Sequence, residues 1–118
     1  MTSIPLAEAA RAALRGDHLV VRQWAADCVE QRLSWSAIER PADLLGDELP
    51  VAAALVELMP ARGGQAAPHW TSEVPEASAS IYFVPMALRR SREVSETLGP
   101  EPLRRRRIFA MPNYLEFA

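Results

Sequence analysis

The side chains best equipped for chemistry in this chain are arginines. Arg104, Arg105, Arg106 and Arg107 form an unbroken run, Arg89, Arg90 and Arg92 precede it, and Tyr82, Phe109 and Tyr114 lie close by in the sequence. A guanidinium grips phosphate or carboxylate through a planar fork, and an aromatic ring beside it stacks on a base or anchors a protein partner. Arg89, Arg90, Arg104, Arg105, Arg106, Arg107, Tyr82, Phe109 and Tyr114 are therefore the candidate partner-binding residues. All 13 cationic residues are arginine, so activities that need a tunable lysine amine, Schiff-base formation and phosphate-loop nucleotide hydrolysis among them, are excluded. Cys28, His18 and His69 supply the only thiol and imidazole groups, without the close spacing of a zinc site, and no metal or cofactor is expected. No serine sits in a glycine-flanked elbow, and no catalytic residue is assigned.

Three stretches resemble known families. Gly63-Gly64-Gln65 resembles the glycine-glycine-glutamine tip of peptide-release factors, which implies ribosomal contact; read from the residues alone, paired glycines make a turn with positive φ. Arg11 and His18 are spaced similarly to the arginine–histidine element of HEPN ribonucleases, which implies phosphodiester cleavage at a helical dimer interface. The plainer reading makes His18 the first residue of a helix and leaves Arg11 in solvent. The segments RQWAADCVE, APHW and GPEPLRRRRIFAMPNYL resemble a small uncharacterised bacterial protein family of high-GC genomes. That resemblance implies no site, and its setting is that of two-gene toxin–antitoxin or defence modules.

The elements that must hold these residues are mainly helical, within a single domain over 1–118. A helical core is expected over 1–60, a long connection over 61–80, and an extended segment, polar helix and arginine/aromatic tail over 81–118. Ser3 and Pro5 open a first helix that Gly16 stops, and Asp17 opens a second over roughly 18–33, making a helical hairpin. The second helix places Val21, Trp24, Ala25, Cys28 and Val29 on one apolar face, where Cys28 packs as a small hydrophobe. Ser36 and Glu39 fit a capping box before a short piece ended by Pro41. A third helix starts at Asp47 or Glu48, turns Val51, Leu55, Leu58 and Met59 inward, and ends at Pro60. Trp70 pins the long connection. Ile81-Tyr82-Phe83-Val84 reads as a short strand that pairs hairpin-like with residues 108–110 or 114–117, or with another chain. A polar helix over 86–98 stops at Gly99.

Charge divides along the chain. Residues 1–80 carry six arginines against eleven acids, and residues 81–118 carry seven against four, so an acidic body bears a basic end. The basic end either meets an anionic partner or pairs with the body. No apolar run reaches the ~20 residues that span a bilayer, and nothing at the N-terminus reads as a signal segment, so a cytoplasmic location without membrane contact is expected. The leading functional reading is a non-enzymatic protein that binds another protein or itself, an antitoxin-like partner in a two-gene module being one such role. RNA or DNA binding through the arginine cluster is the alternative, and a HEPN-like ribonuclease a further one.

Overall fold

The computed structural model describes residues 4–116. It is mainly helical: α1 (Leu6–Leu14), α2 (His18–Glu30), α3 (Glu48–Arg62), α4 (Arg89–Leu98) and α5 (Glu101–Arg104), with strands β1 (Ile81–Tyr82) and β2 (Ile108–Phe109). Single 3-10 turns cover Trp35–Ala37 and His69–Glu73. The expected cap Ser3 lies outside the described residues. Among them, no helix is long and apolar enough to cross a membrane.

α3 is the axis of the molecule. A one-sided stripe was the expectation, yet every residue from Pro50 to Leu58 is buried, because α1, α5 and both 3-10 turns surround the helix. The small side chains of Ala52, Ala53 and Ala54 on α3 and of Ala9, Ala10 and Ala13 on α1 leave room for close helix approach, and all are buried. Pro60 does not end α3, contrary to the sequence reading. A proline near the end of a helix removes one intrahelical bond, and its own carbonyl here accepts from Gly63 N (3.1 Å) and Gln65 N (2.8 Å), so one more turn closes.

The three longest of the N-terminal helices stop through the same motif, in which a left-handed residue sends two N–H groups back into the last turn. In α1, Asp17 N donates to Ala12 O and Gly16 N to Ala13 O, with Gly16 at φ +80°. In α3, Gln65 N donates to Pro60 O and Gly64 N to Ala61 O, with Gly64 at φ +68°. Gly63-Gly64-Gln65 is thus a helix stop. In α2 the bonds are Leu33 N to Cys28 O and Arg32 N to Val29 O, but the left-handed position, φ +52°, is held by Arg32. α2 therefore ends at Glu30 rather than near residue 33. Its buried face is Val21, Trp24, Ala25 and Cys28; Val29, about 100° further round, is 48% exposed and not core as expected.

The capping box at Ser36 and Glu39 does not form, and the 3-10 turn is flanked by Ser34 without a side-chain cap bond. Trp35 packs edge-on against Trp24, 5.9 Å between centroids, and Trp70 pins the connection by donating Nε1–H to Ile38 O at 2.9 Å.

β1 and β2 pair with Ile81 opposite Ile108 and Tyr82 opposite Phe109. They run parallel, not as a hairpin, because α4 and α5 carry the chain back across before β2 begins. Gly99 ends α4 at an ordinary φ; a Cβ there would lie 2.4 Å from Ser95 O and 2.7 Å from Ala110 O, so glycine is needed for close approach.

Candidate functional site

The arginines meet different partners. Arg106 is buried and reaches the middle of α3, where Nη1 and Nη2 donate to the two oxygens of Glu57, the Nη2 bond at 3.2 Å, while Nη2 also donates to Thr71 O at 2.7 Å. Arg105 Nη2 lies 2.6 Å from the same carboxylate. Burial pushes the Glu57 carboxyl up, but hydrogen bonds from Arg106 and Arg105 and the charge of Arg106 hold it below the ordinary carboxylate range. Arg104 donates to Thr97 O at 2.9 Å, at the C-terminal end of α4, and Arg107 reaches Ser80 Oγ at 3.5 Å. Arg89 pairs with Glu93 at 2.9 Å on the exposed face of α4, and Arg90 beside it is exposed. Arg105 and Arg106 thus fasten the C-terminal segment to the body, Arg104 stays within that segment, and the run presents no single cationic face.

The candidate aromatics separate likewise. Tyr82 and Phe109 pack on each other across the strand pair, centroids 5.1 Å apart. Tyr114 joins His18 and Phe83: His18 Nδ1 and Tyr114 Oη are 2.8 Å apart, and the His18 ring lies 4.8 Å from Phe83 and 5.5 Å from Tyr114. Burial raises the Tyr114 phenol, which keeps its proton, and lowers His18 against the opposing charge of Asp17. Which of the two donates in the His18–Tyr114 bond depends on the imidazole tautomer. Arg11 is not the solvent residue expected; it pairs with Asp43 at 3.3 Å and Glu48 at 3.4 Å, and so has a set of partners separate from that of His18.

Two cavities lie beside α2 and share Leu115 and Glu116 in their walls; together they make up a trough. The first, about 240 Å³, is lined by His18, Arg22, Phe83 and Tyr114, and the second, about 710 Å³, by Val29, Arg32, Leu33, Trp35, Met59 and Arg62. Cys28 lies against the second cavity, and burial pushes its thiol up to about 11, leaving a neutral apolar group. Val29 and Leu33 are exposed. Burial lowers the Arg62 guanidinium while the charge of Glu116 raises it, and Nη2 donates to Pro112 O at 3.2 Å. Among the described residues, the positive-φ residues other than glycine are Arg32, Arg107 and Leu115, and two of these three line the trough.

Of the candidate partner-binding residues only Tyr114 lines these cavities; Arg22, Val29, Arg32, Leu33, Met59 and Arg62, which also line them, were not among the candidates. One signal was available for Arg32 and Leu33: α2 has no glycine with which to stop, so its turn had to be made by a residue with a side chain. Among the described residues no cluster of three or more His, Cys, Asp or Glu side chains could hold a metal ion. Compared with known proteins, the chain matches no family model, no curated protein and no solved structure.

Proposed function

We propose that this chain is a protein-binding module that docks its partner in the trough beside α2. The observation that carries this reading is the pairing of exposed Val29 and Leu33 with backbone held left-handed at Arg32 and Leu115. Strain of this kind concentrates at functional positions. Apolar anchors within a charged rim are the usual composition of a protein interface. Nucleic-acid binding through the arginine run is less well supported, since Arg105 and Arg106 are taken by Glu57 and Arg104 by a backbone carbonyl. An antitoxin-like role is one form such a module could take.

Co-purification from the native host, with sedimentation to read self-association, tests the reading. Wild type is expected to hold a partner or a second copy of itself that Val29→Asp/Leu33→Asp loses while its circular dichroism is unchanged. A partner retained equally by the variant would move the interface elsewhere, and no partner and no self-association would remove the proposal.

A further inference from the structure

The trough's charge is as telling as its apolar floor. Arg22, Arg32 and Arg62 all line it, and among the described residues none of the three has a carboxylate at ion-pair distance, Arg62 meeting instead the Pro112 carbonyl and the more distant charge of Glu116. Among the described residues, Glu116 is the one acid lining either cavity. In a chain of net charge −2, three guanidiniums against one carboxylate beside these apolar cavities are a local reversal of sign. Arg32 adds a second argument. The left-handed position that ends α2 is one that glycine fills at the ends of α1 and α3, and here a long cationic side chain stands in it at the mouth of the larger cavity. Glycine would relieve the backbone, so the arginine is there for its side chain.

We infer that the occupant of the trough is an acidic, amphipathic segment of a partner protein, whose apolar side chains enter between Val29, Leu33 and Met59 while its carboxylates meet Arg22, Arg32 and Arg62. This rests on the protein-binding reading above. At the larger cavity the exposed apolar side chains, Val29 and Leu33, are aliphatic and the one ring, Trp35, is buried, whereas nucleic acid asks for exposed stacking rings; the rings of the smaller cavity, His18, Phe83 and Tyr114, pack on one another. Guanidinium–carboxylate forks fix orientation, and the apolar floor supplies the area removed from water.

The test uses the whole chain and three fluorescent probes. One is a helical peptide of about 14 residues, long enough at ~1.5 Å per residue to follow α2, with leucines at i, i+3, i+4 and i+7 and glutamates elsewhere. The second is its twin with lysine for glutamate, and the third a polyuridine oligonucleotide. The glutamate peptide should bind about ten-fold more tightly than its twin at low salt, with the advantage shrinking as salt is added. Arg22→Glu/Arg32→Glu, which breaks no ion pair within the chain, should reverse the preference. Arg32→Gly should weaken the glutamate peptide several-fold with an unchanged or raised Tm, so a loss of binding cannot be ascribed to misfolding.

Equal binding of the twins, indifference to the charge reversal, or tighter binding of polyuridine than of either peptide overturns the inference. If neither peptide binds but the host partner is still lost in Val29→Asp/Leu33→Asp, docking in the trough stands and the acidic partner falls. If the peptides fail and the host partner survives that variant, both fall.

Discussion

Glu57 shows how one residue can decide the meaning of two others, Arg105 and Arg106. It is an acid in the middle of an apolar helix, in the run Leu55-Val56-Glu57-Leu58, a position that demands a buried cation and that the stripe of Val51, Leu55, Leu58 and Met59 did not single out. Which cation answers it was not legible in the sequence, because Arg106 is 49 residues away and the contact depends on how the tail folds back. Removing one member of a buried pair leaves the other charged and unsolvated. Glu57→Gln should therefore lower stability by about 3–5 kcal/mol in urea denaturation, with Arg106 the stranded group; Arg105 is half-exposed and can turn to water. Glu57→Leu/Arg106→Met, which removes both, should recover most of the loss. Equal stability of Glu57→Gln and wild type would show that the latch holds nothing.

At the scale of elements, legibility followed the locality of the signal. The α1–α2 hairpin was readable because Gly16 writes its stop into the chain, and the same holds for the end of α3 once Gly64 is recognised as the left-handed residue. The end of α2 was misjudged for want of a glycine, and with it the trough. The exposure of Val29 and the all-round burial of α3 depend on which neighbours pack where, which a helical period does not contain. β propensity left the strand partner open between 108–110, 114–117 and another chain; the pairing falls at 108–109, in the parallel direction that α4 and α5 set. Gly99 was readable as a stop for a reason that turned out different: its place is secured by the carbonyls of Ser95 and Ala110 and not by a positive φ. Backbone atoms cannot yield as a flexible side chain would, so Gly99→Ala must push β2 from the end of α4. It should cost about 2 kcal/mol or more, the scale of an overpacked core site. Gly63→Ala, with no heavy atom nearer than 3.7 Å to the new Cβ, is its control and should stay within about 1 kcal/mol. Thermal melts of the two variants side by side check the difference.

The whole molecule is held between its acidic body and basic end, and protons act on that attachment from both sides of neutrality. Glu57 in the folded chain titrates below its ordinary value, so the unfolded chain binds more protons and the latch's stability, fully present above about pH 4.5, is lost as pH falls through the folded value. His18, lowered by burial against Tyr114 and Phe83, acts in the same sense at higher pH: below about 6.5 the unfolded imidazole takes a proton that the folded one resists. Tyr114 and Cys28 are raised by burial, so the stability they lend is intact below their ordinary values and declines as pH climbs through the alkaline range. Stability should form a dome, with a first shoulder of loss below pH ~6.5 and a steeper fall below ~4.5. The urea midpoint followed from pH 3 to 10 reads this directly. His18→Gln should remove the shoulder and spare the steep fall, while Glu57→Leu/Arg106→Met should do the opposite. A midpoint that does not move between pH 7 and 5 in wild type would mean that His18 does not resist its proton in the folded chain, and an acid limb unchanged in the double variant would mean that the tail is fastened elsewhere.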